Sequence, residues 1–512
     1  MRHYKTTGLF LSLTVMILFT TGCVNPADFT LSPSSQGESS IEAAVQFPDY
    51  VFDQETALNS YGAHASVQEK GYYLTANNVL YFYDVQSDTL FPLCTKESCR
   101  HKDDTCDAYV YVRQSWGYNG EGEDFMDDWA EEAIDYKIYY YRNHLYMIAC
   151  NPSKGDALIQ YSPEFTEQKM IGWLTDFKAE PRIVLQRLLE LGTILFHQGY
   201  AYYITCLYDD EKAWGNMDCQ TVYTAWRVRL EENAEAEELF SFDGEYYAGS
   251  QSFRIGSLQD DVYFMIEYPK TYYFDLSEEE LENGENPWQI EGSYRRIYRY
   301  NEKDGVELIW SYDGAEIVSP FEAEGALPKN VYSKDYLINQ EGDYIYFSGE
   351  SDWGDSASIS AVNLQTREGR ILYETPYDCI KQLRSDGSNY YFIEFGEGPT
   401  FLTAIDKEGN LLRRYEIPYT EDFIKLMENN KVPEGEWARQ AGDKVRLLVT
   451  DGRYIVLGGY YDNYYQGLSS TRDDYDFFNS NVDEGIGMIN TEDFLNGKDI
   501  EIRQVYDRKN QY

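Results

Sequence analysis

A polar turn followed by a short aromatic or aliphatic strand recurs seven times along this chain, and that recurrence constrains the fold more than any other feature. The copies are TANNVLYF (Thr75 to Phe82), RNHLYMIA (Arg142 to Ala149), HQGYAYYI (His197 to Ile204), LQDDVYFM (Leu258 to Met265), QEGDYIYF (Gln340 to Phe347), SDGSNYYF (Ser385 to Phe392) and TDGRYIVL (Thr450 to Leu457). A second element follows several of them, clearest in ISAVNLQTREGRILY (Ile359 to Tyr373), and again at Ile297 to Trp310 and Leu402 to Leu412. Gly305, Gly369 and Gly409 fall where such a hairpin needs positive φ. Two hairpins per repeat make a four-stranded antiparallel unit.

A unit of this size cannot close a core alone, and radial packing hides both its faces and its edges. The expected fold is therefore all-β: a β-propeller of about seven four-stranded blades, six or eight remaining open because the interval from Leu258 to Gln340 is long, with short helical insertions. A string of β-sandwiches would require linkers between repeats, and none is visible. The 49 Tyr, 25 Phe and 9 Trp supply the apolar area for a packed core and rule out a disordered chain.

The DG-x-x-Y-Y-F strand followed by I-x-x-x-N-L-x-T-x-x-G resembles TolB-like and YWTD-type bacterial propellers, over roughly residues 65 to 508. The chain as a whole resembles cell-surface lipoproteins of Gram-positive bacteria. That resemblance implies a fold and says little of activity, since propellers bind, scaffold and catalyse alike.

The N-terminus carries Arg2 and Lys5, an apolar run from Gly8 to Phe19, and Thr20-Thr21-Gly22-Cys23. The run is too short for a membrane span, which needs roughly 20 residues. It reads as a signal peptide over 1–22, with cleavage before a lipidated Cys23. Thr20 departs from the leucine that such sites prefer, and an ordinary secretory cut would still export the chain. Residues 23–48, rich in Ser, Pro, Gly and Gln, form a lipidated cysteine and flexible tether. The propeller domain occupies 49–512. The expected location is the outer face of the cell membrane, held by the lipid anchor.

The formal charge is −45, from 43 basic and 88 acidic residues, and losing Arg2 and Lys5 takes it to −47. A nucleic-acid partner is not expected from such a field, with no basic cluster longer than Arg295-Arg296 or Arg413-Arg414.

Long insertions follow the same strand of several repeats: Cys206 to Cys219, Tyr268 to Trp288, Gly349 to Ser358 and Gly459 to Ser480. If the blades are equivalent, these loops leave one rim, crowding it with Trp214, Tyr272, Tyr273, Trp288, Trp353, Tyr460, Tyr461, Tyr464 and Tyr465 among carboxylates. Aromatic faces beside carboxylates suit a glycan, a peptide or a protein ligand. Self-packing of long loops explains the same aromatics. Ser277-x-x-Glu280 reads as the capping box of a short helix within one of them.

The most specific local constellation is PLCTKESCRHKDDTC, which crowds Cys94, Cys99, His101 and Cys106 into a C-x4-C-x-H-x4-C spacing after the first repeat. It resembles a motif of those same lipoproteins. Three thiolates and an imidazole complete a tetrahedral set for a structural zinc, whereas outside the membrane two of the cysteines can instead pair as a disulfide. These two readings and that of free thiols stay open here, and metal or disulfide would be structural, because a closed four-ligand site leaves zinc no position for water. Cys206 and Cys219 suit a second disulfide, while Cys150 and Cys379 read as buried thiols. His64, His144 and His197 read as packing or turn residues.

No G-x-S-x-G, H-E-x-x-H, phosphate-binding or dinucleotide signature occurs. Asp-rich turns such as Asp406 to Asn410 read as hairpins in place of calcium loops. The leading expectation is a binding or interaction module at the cell envelope. The alternatives are a carbohydrate-active enzyme, whose acids the sequence cannot nominate, and a structural scaffold of a surface complex.

Overall fold

Six of the seven turn–strand repeats become the second strands of their blades, in a set of seven antiparallel sheets each built from consecutive strands. The computed structural model describes residues from 65 to 507, apart from 77–78, 102–105, 110–137, 152–154, 176–183, 189–193, 210–219, 246–251, 274–287, 314–335, 351–355, 367, 397–398, 419–444, 459–484, 499 and 501. Residues 1–64, and with them the expected signal peptide, Cys23, the tether and His64, lie outside the described residues.

Blade 1 comprises β1 (Ala65–Gln68), β2 (Gly71–Ala76), β3 (Val79–Asp84) and β4 (Thr89–Pro92), and blade 2 comprises β5 (Tyr139–Tyr141), β6 (His144–Asn151), β7 (Gly155–Tyr161) and β8 (Gln168–Trp173). In blade 3, β9 (Val184–Leu188) and β10 (Leu195–His197) both pair with β11 (Tyr200–Asp209), followed by β12 (Gln220–Arg229) and β13 (Ala236–Glu245). Blade 4 holds β14 (Ser252–Leu258), β15 (Asp261–Tyr273), β16 (Trp288–Asn301) and β17 (Gly305–Asp313). Blade 5 holds β18 (Tyr336–Glu341), β19 (Tyr344–Glu350), β20 (Ala357–Asn363) and β21 (Gly369–Thr375). Blade 6 holds β22 (Cys379–Ser385), β23 (Asn389–Phe395), β24 (Phe401–Asp406) and β25 (Leu411–Glu416). Blade 7 holds β26 (Arg446–Thr450), β27 (Tyr454–Gly458), β28 (Gly485–Asn490) and β29 (Arg503–Asp507), with one short helix, α1 (Thr491–Leu495), between its last two strands.

First strands neighbour first strands around the ring: β1 meets β5 and β26, β14 lies between β10 and β18, and β22 between β18 and β26. The protein is thus a seven-bladed β-propeller. The long Leu258–Gln340 interval is absorbed by the long strands β15 and β16 and by residues 314–335, with no further blade among the described residues.

The tyrosine-rich strands do not alternate apolar with polar because neighbouring blades cover both their faces. Every residue of β2 is buried, whereas the outermost strands β4 and β25 are half-exposed to exposed throughout. The core accordingly lies in the seams. Tyr139, Tyr146, Phe196 and Tyr203 fill the one between blades 2 and 3, and Tyr391, Ile393, Leu447 and Ile455 the one between blades 6 and 7.

Two sequence expectations need correction. Thr75 to Phe82 is not the equivalent of the other copies: it spans β2 to β3, and the matching turn of blade 1 is Glu69–Lys70 before Gly71-Tyr72-Tyr73. Blade 1 carries two successive turn–strand units of one pattern, which a local motif cannot rank. Gly305 (φ +78°) and Gly409 (φ +92°) have the expected left-handed backbone, but Gly369 does not, because it already starts β21. Elsewhere the first hairpin turns do use that region, at Arg142–Asn143 and at Gln198–Gly199, as the right-handed strand twist demands.

Candidate metal centre and the connection-bearing rim

In an antiparallel blade of consecutive strands, connections from first to second and from third to fourth strand lie at one rim. Connections from second to third strand, and from blade to blade, lie at the other. The first rim carries short turns, apart from the link from β28 to β29 that holds α1. Several are tied to a neighbouring blade: Gln198 Nε2 donates to Asp260 Oδ1 at 2.8 Å, and Lys407 Nζ to Glu341 Oε2 at 2.7 Å.

The four insertions singled out from sequence all join second to third strands, between β11 and β12, β15 and β16, β19 and β20, and β27 and β28. They therefore share the opposite rim. Register places Tyr273 opposite Trp288, and Tyr272 opposite Gln289, at the rim end of the longest hairpin. Trp214, Trp353, Tyr460, Tyr461, Tyr464 and Tyr465 lie outside the described residues, as do Cys219 and the Ser277–Glu280 box.

The cysteine–histidine cluster follows β4 and so sits at this same rim. The ligand atoms of Cys94, Cys99, His101 and Cys106 all lie within 4.8 Å of one another. Four donors on a zinc tetrahedron with ~2.3 Å Zn–S bonds stand ~3.7 Å apart, so this convergence fits a single ion. No disulfide joins Cys94, Cys99 and Cys106 to one another.

Local backbone chemistry makes the convergence. Ser98 (φ +62°) and His101 (φ +52°) adopt the left-handed region that non-glycine residues rarely enter, turning the chain sharply around Cys99. The His101 N–H donates to Cys99 Sγ at 3.5 Å, and His101 Nδ1 stands 3.3 Å from Cys106 Sγ. Lys96 Nζ lies 2.6 Å from Asp107 Oδ1, and Thr95 Oγ1 donates to Asp107 Oδ2 at 2.7 Å, locking the two ends of the loop together.

Electrostatics divides the sulfurs. Burial opposes ionisation of the Cys94 thiol, but the backbone N–H groups of Lys96 and Asp107 aimed at it prevail and hold its pKa below the ordinary thiol value. Burial pushes the Cys106 thiol up to about 12. Without a cation this group stays protonated at neutral pH, and a bound divalent ion is the natural means of ionising it. Three thiolates around a dication leave one negative charge, and Lys96 stands close enough to be raised by Asp107 first and then by Cys94 and Cys99. Donor type, spacing, nearby N–H groups and a compensating lysine all suit a soft-ligand tetrahedral metal site.

The sequence did not single out Leu80, where this loop is anchored. Leu93 N–H donates to the Leu80 carbonyl at 2.9 Å, and the Leu80 N–H donates to the Ala108 carbonyl at 2.8 Å, with a bridge from Val79 to Tyr109 beside them. Leu80 is one apolar residue in an apolar strand, and nothing in its neighbours marks it.

Of the other histidines, His197 is buried against Tyr202, and half-buried His144 places Nδ1 2.8 Å from the Arg142 carbonyl, so both are packing or turn residues as expected. Two buried glutamates are each paired with arginine: Glu267 with Arg295 at 3.2 Å, and Glu394 with Arg414 at 2.8 Å.

The site thus defined belongs to a class, a propeller bearing a Cys3His centre beside one rim. No family model matches the chain, and no curated protein matches it. Among solved structures it is similar to the β-propeller domain of the Trilobed protease from Pyrococcus furiosus, at 11% identity over 90% of this chain and 98% of that one, with a TM-score of 0.35. It is also similar to TolB from Acinetobacter baumannii, at 10% identity over 67% and 61% with a TM-score of 0.29. Likeness to Porphyromonas gingivalis dipeptidyl peptidase 4 is 8% identity over 73% of this chain, with a TM-score of 0.32, and spans 48% of that protein's length. None of these values bears on activity, and the fold rests on the seven sheets themselves.

Proposed function

We propose that this protein is a lipid-anchored recognition module, displayed at the outer face of the cell membrane, whose connection-bearing rim binds a glycan, peptide or protein. The observation that carries this reading is the asymmetry of the rims. One rim carries short turns except for the helix-bearing link from β28 to β29, and the other gathers every long second-to-third connection together with the links between blades. A scaffold of rigid strands that varies its loops on one side is the usual way a fold carries a binding surface. The signal peptide over 1–22, lipid on Cys23 and a tether to residue 48 would hold that surface clear of the bilayer. In this reading Cys94, Cys99, His101 and Cys106 hold one zinc ion, which builds the rim and takes no part in chemistry.

Anchoring is tested by expressing the full chain and its Cys23→Ala variant in a Gram-positive host. The parent should partition with membranes and the variant should not, and equal partition would sink the anchor. Rim recognition is tested by crosslinking the full chain on intact cells. Tyr273→Ala and Trp288→Ala should lose crosslinked species that changes at the opposite rim, such as Gln198→Ala, retain. Zinc is tested by metal analysis of the purified chain, where one equivalent per chain is expected and none would remove the reading.

A further inference from the structure

We infer that the zinc centre is a clasp on the seam where the ring closes, so that metal occupancy governs the packing of blade 7 on blade 1. This rests on the reading of Cys94, Cys99, His101 and Cys106 as a zinc site.

Among the described residues every blade is a contiguous stretch of chain, and no strand is exchanged between the first blade and the last to lock the ring. Closure falls to side chains and turns. Tyr72 Oη donates to Asp451 Oδ1 at 2.6 Å, Arg453 Nη2 donates to the Gln68 carbonyl at 2.9 Å, and the rings of Tyr81 and Tyr506 pack with centroids 5.3 Å apart. A seam of this kind depends on blade 1 keeping its shape.

Blade 1 is weak at its outer edge. Its fourth strand, β4, has only four residues, none of them buried. Beyond it the pairing edge of β3 is finished by two separate pieces of chain, Leu93 on the Leu80 carbonyl and Ala108 on the Leu80 N–H. The excursion from Cys94 to Asp107 therefore leaves and returns at a single residue. Its first metal donor, Cys94, directly follows Leu93, and its last, Cys106, lies two residues before Ala108. An ion held by all four donors ties the base of the loop, removing the entropy that would otherwise favour opening it.

The piece so held belongs to the seam. Cys106 and Ala108, together with Val79, Leu80 and Tyr81, share one buried cluster with Leu448, Val449, Val456, Ile486, Met488 and Tyr506 of blade 7, and Cys94, Cys99 and Tyr109 pack against it. Val79, Leu80 and Ala108 are fully buried. Release of Ala108 and Tyr109 would bare Val79 and Leu80 and free the Leu80 N–H, at the strand whose next residue contacts Tyr506. Opening at the metal loop and loosening of the seam are thus one event.

The test is hydrogen exchange on the full chain, zinc-loaded, then stripped with a chelator, then reloaded with zinc, with metal content measured at each stage. Stripping should speed exchange at least tenfold in peptides covering β1 to β3 and β26 to β28, leave the seam between blades 5 and 6 unchanged, and be reversed by zinc. Cys99→Ser should reproduce the stripped pattern; because that variant can also fail to fold, the chelation series on the parent chain decides. If zinc leaves and the blade 7–blade 1 seam keeps its protection, the clasp is wrong while the metal site stands. A uniform rise in all blades also overturns it. If no zinc is bound at the outset, the metal reading itself falls and takes the clasp with it.

Discussion

Tyr72 Oη donates to Asp451 Oδ1 at 2.6 Å across 379 positions of sequence, joining the first blade to the last. The phenol is buried, and burial first, then the Asp451 charge, raises its pKa, so it stays a donor at any ordinary pH. Asp451 also accepts from Arg453 Nε at 2.6 Å, and Arg453 Nη2 reaches the Gln68 carbonyl at 2.9 Å. Tyr72→Phe leaves that carboxylate bonded and should cost only about 1 kcal/mol. Arg453→Met removes the cation from that carboxylate and the donor from the Gln68 carbonyl, and should cost about 2 kcal/mol or more. Urea unfolding of the two variants checks the order, and a larger loss in Tyr72→Phe would mean the closure does not run through Arg453.

Much of this ring was legible in the sequence, because a propeller blade states its strands locally. The turn before Tyr344, Asn389 or Tyr454 marks each second strand, and both-face burial explains why Tyr390-Tyr391-Phe392 shows no polar alternation. Insertion sites were legible for the same reason. The closing contacts were not: Tyr72 and Asp451 sit in unremarkable turn–strand stretches, and only the curvature of the whole ring brings them together. The clustering of Cys94, Cys99, His101 and Cys106 could be read from spacing, whereas their anchor on Leu80 could not, since backbone pairing leaves no trace in residue type.

Gly409 and Gly305 separate backbone strain from collision. Both have positive φ, but a Cβ on Gly305 meets nothing within 4 Å, while one on Gly409 would stand 1.9 Å from the Leu372 carbonyl oxygen of the neighbouring blade. Gly305→Ala should therefore cost about 1 kcal/mol, the price of a left-handed L-residue. Gly409→Ala should cost clearly more, because the seam between blades 5 and 6 must open to admit it. Thermal unfolding of both variants gives the comparison, and equal losses would show that the seam yields freely.

Glu394 is fully buried in blade 6, accepting from Tyr373 Oη at 2.8 Å and Thr403 Oγ1 at 2.6 Å, with Arg414 Nε at 2.8 Å. Removing the cation leaves a charge without its counterion in a dry site. Arg414→Met should thus destabilise by about 3 kcal/mol, more than Glu394→Gln, which removes the charge itself and keeps an acceptor oxygen for one of the two hydroxyls. The double variant should be less unstable than the sum of the two, and a double-mutant cycle giving simple additivity would contradict the pairing.

Alkaline pH should unfold the ring through its tyrosines. Burial, the first cause in each case, pushes the Tyr140, Tyr202 and Tyr263 phenols up to about 12, against an ordinary value near ~10. A phenol raised in the folded state is one the fold keeps neutral. Its contribution to stability is whole below the unfolded pKa, near ~10, and is lost as pH climbs from there towards 12, because the unfolded chain releases the proton first. With 49 tyrosines in the chain and many in the seams, these losses fall in one window. Tyrosinate absorbance followed against pH should rise in a cooperative step above ~10, coincident with loss of the sheet signal in circular dichroism. A smooth titration centred near ~10, with the sheet signal intact, would mean that the seams admit water and that their phenols are not held by burial.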